Sequence, residues 1–568
     1  MFSAKNRNYF FLILLIGIIV YFPIFFNGFV WDDIAFILLN PQVHTFNLVT
    51  AFGPNIFNTI PFYRPIPATY FALLYAIFGQ NAFFYHFLQL LLHCIDAYLV
   101  FVLFRLFFGK RTSFILSLLF LAHPINVESV AFISSIASEL SLFFALTAFL
   151  LSTAKHLSSK RLFGIALLLM LGIMTKETGA LVFLLILTYR YLYKVNKLKT
   201  FIVIGGGVIL IYSLLRVINS LSFNNIYSWV PIANVSLPLR ILNIPAIIIY
   251  YLQTVIFPLK LSIYQIWVVT SVASINFLVP FFICLLLGAG VLIVLFKMKK
   301  QHSAYYTAFV FFFVWYLINL LPILQIIPLE MTVADRWFYV PLIGVLGMLG
   351  VLAVTVKINK RYLSIGAIII IIVLSLRTFV RTFDWHDDVM INMHDLADQK
   401  DNYIIMDDLA MALFREGDTT DALRYDKQSI ALSPQIVTIG HLANIYYAQK
   451  QFGPATNEYQ KAITLIGPDE TEQYAGDLQQ YYINLAAIQL RTGHPHAAVT
   501  ILADQALKKL PTSHTLSILL AYAYYKANDH QKAIDAAAQA YRIYPDQQYA
   551  IFYSRLQQNL PVNINLGQ

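Results

Sequence analysis

Two adjacent carboxylates, Asp32 and Asp33, close the run Gly28-Phe29-Val30-Trp31-Asp32-Asp33 just beyond the first hydrophobic stretch of the chain. Acid is scarce there. Between Met1 and Phe379 the carboxylates are Asp32, Asp33, Asp96, Glu128, Glu139, Glu177, Glu330 and Asp335. Ionised groups near a bilayer are costly and tend to serve ion, proton or substrate chemistry. A pair at the mouth of a span suits general-base work on an acceptor hydroxyl. One carboxylate takes the proton while the other orients the hydroxyl or holds a cation. Helix capping ahead of Ile34-Ala35-Phe36 accounts for Asp33 but leaves Asp32 unexplained. Asp32 and Asp33 are the expected catalytic pair.

Other residues at the ends of apolar runs have the types needed to bind an anion. Arg64, in Phe62-Tyr63-Arg64-Pro65, Lys176, in Thr175-Lys176-Glu177-Thr178, and Arg336, in Asp335-Arg336-Trp337-Phe338-Tyr339, can hold a lipid phosphate at the interface. Interfacial anchoring is the alternative role for each. His123 and Glu128 share one turn and Glu177 occupies another, and all three are grouped with the substrate- and lipid-phosphate-binding set. Asp32, His123 and Glu128 are types that ligate a divalent ion, but no metal and no other cofactor is expected. Cys94 and Cys284 lie inside apolar runs and read as small hydrophobes. Asp96 and Glu139 fall within spans, Asp96 being placed for a buried hydrogen bond with His93 or another span. Asp384-Trp385-His386-Asp387-Asp388 repeats a Trp-Asp-Asp theme after the last span and reads as a junction, without a catalytic role.

The elements that must position these residues follow from composition. The chain has 568 residues, 59% hydrophobic and 12% charged, with mean hydropathy +0.67; soluble globular chains carry about 25% charged residues. Residues 1–379 hold 25 Lys and Arg against eight acids, whereas residues 380–568 hold 14 against 21. The first part is a multi-pass membrane domain, expected at 1–380; a junction helix follows at 381–402. Apolar runs near 9–27, 83–107, 113–130, 131–152, 162–175, 177–193, 200–217, 275–297, 303–321, 337–356 and 362–380 give about eleven spans. Basic loops at Lys5/Arg7, Lys110-Arg111, Lys155 to Arg161, Arg190 to Lys199, Lys297 to Lys300 and Lys357 to Arg361 mark the cytoplasmic side. The alternation holds if 240–257 is re-entrant or interfacial. It places the N-terminus, a retained signal anchor, in the cytoplasm of a cell (inner or plasma) membrane, and the C-terminal domain outside. Six of the eight acids then lie at or near the external face. Because the basic residues sit in these short loops, the overall basicity does not point to nucleic acid.

After Arg381 the period changes. Ala422, Ala455, Ala498 and Ala533 recur at about 34 residues, each preceded by a Leu-Ala pair: Leu409-Ala410, Leu442-Ala443, Leu485-Ala486 and Leu520-Ala521. Pro434, Pro511, Pro545 and Gly467-Pro468 close the units, and one wider step implies an insertion around Asp469–Gly476. Small residues at this period are the tetratricopeptide pattern, so residues 403–568 are expected to form about four repeats and a C-terminal cap. Such a solenoid offers a concave surface for an extended peptide or partner, or a lid on the membrane domain. The fold class is all-α: a multi-pass helical bundle followed by an extracytoplasmic tetratricopeptide solenoid.

Taken together and in order, these motifs resemble a known family. Trp31-Asp32-Asp33, Asn40-Pro41, Tyr63-Arg64-Pro65, His86, His93, His123-Pro124 through Glu128, Lys176-Glu177-Thr178, Arg336 with Tyr339 and Pro341, and Arg381/Trp385/Asp387 resemble the transmembrane-and-tetratricopeptide-repeat O-mannosyltransferases and their bacterial relatives. The resemblance implies a GT-C glycosyltransferase fold and a polyprenyl-phosphate-linked sugar as donor, used on the outer or lumenal face. It also implies Asp32 as base with Asp33 its neighbour. The chain departs from the family at Ile136-Ala137-Ser138-Glu139, where relatives usually show Gly-Arg-Ala-Glu, and at Leu261-Ser262-Ile263-Tyr264, where they often show an Asp. The expected activity is transfer of a sugar from the lipid carrier to a hydroxyl of an acceptor protein or glycan, presented by the repeats. Two other readings are open to the same residues: an envelope glycan polymerase or ligase, which would place key Arg and His residues in a long late loop, and a membrane scaffold or transporter.

Overall fold

The computed structural model describes residues 4–53, 62–154, 156–219, 230–301, 303–356 and 358–564. Lys155, Lys357, the Lys5 side chain and the stretches 54–61 and 220–229 of the two long loops lie outside the described residues. Among the described residues the regular structure is helical, apart from one isolated antiparallel bridge between Gln265 and Val333. In a bilayer this is expected, because a helix satisfies its own backbone hydrogen bonds. The chain divides into two compact units, Met1–Asp398 and Gln399–Gln568. The segment expected as a junction helix, 381–402, is shared between two helices, the end of Lys360–Asp384 and Asp388–Asp398, and Tyr403–Glu416 is the first helix of the second unit.

Among the described residues, seven helices of the first unit are long and apolar enough to cross a membrane, or eight if the bent pair Lys110–Leu121 and Pro124–Ala131 is one span. Arg7–Val20, Pro65–Phe78 and Pro341–Thr355 are shorter apolar helices. Leu237–Ile256, expected to be re-entrant or interfacial, is one unbroken helix of 20 residues, without the break of a re-entrant segment, and is long and apolar enough to stand among the seven. Its Pro245 interrupts neither length nor hydropathy, a tolerance common in membrane helices. The parity of an eleven-span count therefore does not carry the orientation, which rests on the basic loops.

Close helix approach in this unit depends on small residues. A Cβ on Gly344 would lie 2.7 Å from the Tyr316 backbone nitrogen and 2.9 Å from the Phe312 carbonyl oxygen. The Tyr306–Leu320 and Pro341–Thr355 helices therefore touch through their backbones. Gly344→Ala should destabilise the unit by roughly 1–3 kcal/mol, seen as a lower Tm in detergent; an unchanged Tm would contradict the contact.

The second unit is built of helix pairs: Tyr403–Glu416 with Thr419–Leu432, Ile436–Ala448 with Phe452–Leu465, Ala475–Arg491 with Pro495–Lys509, and His514–Lys526 with His530–Ile543, followed by Gln547–Gln557. The four periodic alanines and the alanine of each Leu-Ala pair are fully buried. The insertion appears as a short turn at Pro468–Glu470 and a longer following helix, Ala475–Arg491. One polar cluster is buried between the first two pairs. His441 Nδ1 lies 2.8 Å from Asp407 Oδ1, with fully buried Asp426 beside them. Burial alone would lower His441, but the Asp407 carboxylate holds it up at about 9. Burial, then the charge of Asp407, pushes Asp426 upward as well. Both groups bind protons more tightly when folded, so the stability they confer is present at low pH and lost as pH rises toward 9. Pulse proteolysis of the whole chain in urea should find the repeats weaker at pH 9 than at pH 6.5, and Asp426→Asn should lessen the difference.

Candidate active site

The site is assembled on the loop that follows the first helix. Its start is fixed from two directions: His86 Nε2 donates to the Gly28 carbonyl at 3.1 Å, and the Gly28 N–H donates to the His386 carbonyl at 2.9 Å. Trp31 has φ +53°, a left-handed conformation that costs a bulky residue roughly 1–3 kcal/mol and persists only when its surroundings impose it. Those surroundings are visible. The indole stacks on Phe132 with ring centroids 5.0 Å apart, meets Tyr264 edge-on, and lies under the Arg336 guanidinium at 5.2 Å. The turn at Trp31 then sends Asp32 and Asp33 in different directions.

Asp33 is fully buried and its oxygens are committed. Val30 N–H donates to Oδ2 at 3.2 Å, while the N–H and O–H of Ser134 donate to Oδ1 at 2.7 and 2.5 Å. Asp32 is partly exposed, and among the described residues no hydrogen bond reaches its carboxylate. Burial, with the charges of Glu330 and Asp388, pushes Asp32 up to about 7 against the pull of Arg336. Burial likewise pushes Asp33 up to about 7, opposed by its donors. Two acids adjacent in sequence thus differ in availability: Asp33 braces the loop, and Asp32 can accept a proton from a hydroxyl.

Cations and acids from distant segments surround the pair. Arg336 donates through Nη1 to Glu128 Oε1, through its N–H to Glu128 Oε2 at 3.0 Å, and through Nη2 to Glu330 at 2.6 Å. Asp335, next to it, accepts from the Tyr250 hydroxyl at 3.1 Å; burial and then Glu128 push it well above the carboxylate range. Arg64 grips one oxygen of Glu177 through Nε at 3.1 Å and Nη2 at 2.7 Å, and Arg216 lies 3.7 Å from the other. Burial alone would raise Glu177, but Arg64 and then Arg216 hold it down. Lys176 donates to Ser138 Oγ at 2.9 Å. Burial, reinforced by Arg64 and Arg336, lowers its ammonium to about 7. Each link is a direct contact or a charge felt across the cluster, and through them Asp32, Asp33, Glu128, Glu177, Glu330 and Asp335 form one connected group. These are the six acids expected to share a face.

The assigned parts change in detail. His123 is no phosphate ligand: its Nε2 donates to the Val255 carbonyl at 3.0 Å and its Nδ1 accepts from the Ile125 N–H at 3.2 Å, so both ring nitrogens are used. Glu128 and Glu177 repel a phosphate and serve instead to hold Arg336 and Arg64. Arg336, with both terminal nitrogens on carboxylates, braces the site and has little left for a ligand. Among the described residues no three His, Cys, Asp or Glu side chains converge on a point where a metal would sit, the trio Asp32, His123 and Glu128 included. Asp96 meets His93 through Tyr339, whose hydroxyl lies 2.8 Å from His93 Nδ1 and 3.1 Å from Asp96 Oδ2. Glu139 is fully buried, and neither of its oxygens has a hydrogen-bond partner among the described residues.

Arg216, Ser134 and Ser138 belong to the cluster and were not foreseen. Arg216 had a signal, as a cation at the end of an apolar run opposite to the one carrying the basic loop. The serines had none.

The profile of dolichyl-phosphate-mannose-protein mannosyltransferases matches residues 63–219, and that of tetratricopeptide repeats matches residues 483–547. Human protein O-mannosyl-transferase TMTC3 is 25% identical over 536 residues, covering 83% of this chain and 57% of the human protein. A Caenorhabditis elegans protein O-mannosyl-transferase is 24% identical over 454 residues, covering 76% of this chain and 64% of the nematode protein. The chain therefore spans little more than half the length of the human relative. Of solved structures, ArnT from Cupriavidus metallidurans bound to undecaprenyl phosphate aligns over 82% of each chain, with 13% identity and TM-score 0.37. The resemblance read from the ordered motifs is thus met by both sequence comparisons: the chain is similar to protein O-mannosyl-transferases over most of its length and to tetratricopeptide repeats over residues 483–547.

Proposed function

We propose that this protein is a membrane glycosyltransferase that moves a sugar from a polyprenyl-phosphate carrier to an acceptor hydroxyl on the extracytoplasmic face. The observation that carries this reading is one carboxylate, Asp32, that accepts no hydrogen bond among the described residues and stands in one cluster with Arg64 and Arg216, both ion-paired to Glu177, and with Lys176, whose ammonium feels the charges of Glu330 and Glu177. Of these cations, Arg64 and Lys176 are partly exposed. They suit the phosphate of a donor and the charge that grows on it as the glycosidic bond breaks. Lys176, with its ammonium near 7, gains its proton most readily when an anion arrives.

The step balances simply. The acceptor oxygen attacks the anomeric carbon as its proton passes to Asp32, and the carbon–oxygen bond to phosphate breaks with its electron pair retained by the leaving polyprenyl phosphate. Attack opposite the leaving group inverts the anomeric centre. Asp33 takes no proton here; its bonds to Ser134 and Val30 keep the loop, and so Asp32, in place. The mannosyltransferase relatives support a hexose as the transferred sugar and a protein Ser or Thr as the acceptor. The repeats supply a surface on which an extended acceptor segment can lie. The test is transfer by the purified full chain in detergent, offered a panel of radiolabelled polyprenyl-phosphate sugars with peptide and glycan acceptors. Turnover of one donor with release of its lipid phosphate is the expected result. A folded protein that turns over none of them would overturn the proposal.

A further inference from the structure

The end of the last long helix and the segment after it, set aside as a mere junction in the sequence, grip the loop that bears Asp32 directly at three points and through Phe132 at a fourth. Asn27 Nδ2 donates to the Thr382 carbonyl at 3.0 Å, and the Gly28 N–H donates to the His386 carbonyl at 2.9 Å. The ring of Trp385, fully buried, stacks on Phe132 at 5.7 Å, and Phe132 in turn stacks on Trp31. The shortest contact is the last: the Trp31 N–H donates to Asp388 Oδ1 at 2.6 Å. A charge-assisted bond of this kind is about twice as strong as a neutral one. It falls on the residue whose backbone is held in the left-handed region and whose successor is Asp32.

We infer that Asp388 is a positioning residue for Asp32, acting through the Trp31 N–H to hold the turn that aims the Asp32 carboxylate out of the loop. The inference rests on the reading of Asp32 as the base. Three features separate it from ordinary packing. The bond joins residues 357 positions apart. It holds a strained conformation where it determines the direction of the next side chain. It also brings a second negative charge toward Asp32. The charged groups around Asp32 are Arg336 and Glu330 from the late loop, Asp33 from its own loop and Asp388 from the junction. Arg336 favours the ionised form of Asp32, Glu330 and Asp388 disfavour it, and the charge of Asp32 in turn raises Asp33.

The two contributions of Asp388 are separable. Asp388→Asn keeps an oxygen to accept from the Trp31 N–H and removes the charge, whereas Asp388→Ala removes both. In the full-length protein, hydrogen exchange of the segment 30–34 should be unchanged in Asp388→Asn and at least about tenfold faster in Asp388→Ala. In the transfer assay Asp388→Asn should keep the plateau kcat, and its acid limb should move to lower pH because Asp32 loses a like-charged neighbour. Asp388→Ala should lose about tenfold or more in kcat with the KM for donor unchanged, as a misaimed base requires. Exchange and kcat in Asp388→Ala within twofold of wild type would overturn the inference. If wild type turns over no donor, or Asp32→Asn remains active, the reading of Asp32 falls instead. The exchange experiment then still decides whether Asp388 holds the turn.

Discussion

Asp32→Asn should lower kcat by about 10²–10⁴-fold, the contribution typical of a general base, while binding of the lipid phosphate persists. The substitution is nearly isosteric and Asp32 makes no hydrogen bond among the described residues, so no structural partner is lost. The remaining rate reflects what the cations alone supply to the leaving phosphate. The pH profile of the wild type makes the same point. A base must be unprotonated to act, and burial with two acidic neighbours lifts Asp32 to about 7. The rate should therefore fall as pH drops through about 7, well above the range of an ordinary Asp. Asp33→Asn should behave differently. It disturbs the acceptor of the Ser134 and Val30 donors, so its loss should be accompanied by faster exchange in the loop. Full activity in Asp32→Asn, or an acid limb near pH 4, would remove Asp32 from the reaction.

The second large effect is expected at Arg336. Its side chain is 9% exposed and binds Glu128, itself 5% exposed, together with Glu330. Removing one member of a buried ion pair leaves an uncompensated charge, at about 3–5 kcal/mol. Arg336→Ala should therefore lower Tm in detergent by several degrees. It should also raise the pKa that governs the acid limb, because the cation that lowers Asp32 is gone. Arg336→Lys keeps a charge but cannot bridge two carboxylates with a planar fork, and should fall between the two. Pairing Arg336→Ala with Glu128→Gln should recover part of the stability without recovering the pH profile. Additive losses in the double variant would show that the two residues do not act as a pair.

Much of this molecule is legible in its sequence because the relevant signals are local. Apolar runs of about 20 residues and the change of period after Arg381 reflect helix geometry, which depends on residues three and four positions apart. The rarity of acids in the first 379 residues identified Asp32, Asp33, Glu128, Glu177, Glu330 and Asp335 as a set, since a charge near lipid is too costly to be incidental. The part played by Leu237–Ile256 is harder to read, because charge alternation is a sum over the whole chain and one wrong sign earlier transfers to every later helix.

The division of labour within the set was decided by tertiary structure. Nothing in Trp31-Asp32-Asp33 states that Asp33 will be bound by Ser134, 101 positions on, and Asp32 left open. Nor does Glu177 announce that Arg64, 113 positions earlier, will claim it together with Arg216. His123 has the right type and place for a ligand, yet two backbone groups take both of its nitrogens. Sequence by itself determined which residues have chemistry to offer and the helices that carry them. Which groups remain free to use that chemistry depends on hydrogen bonds between segments a hundred or more residues apart, and such bonds leave no trace in local composition or period.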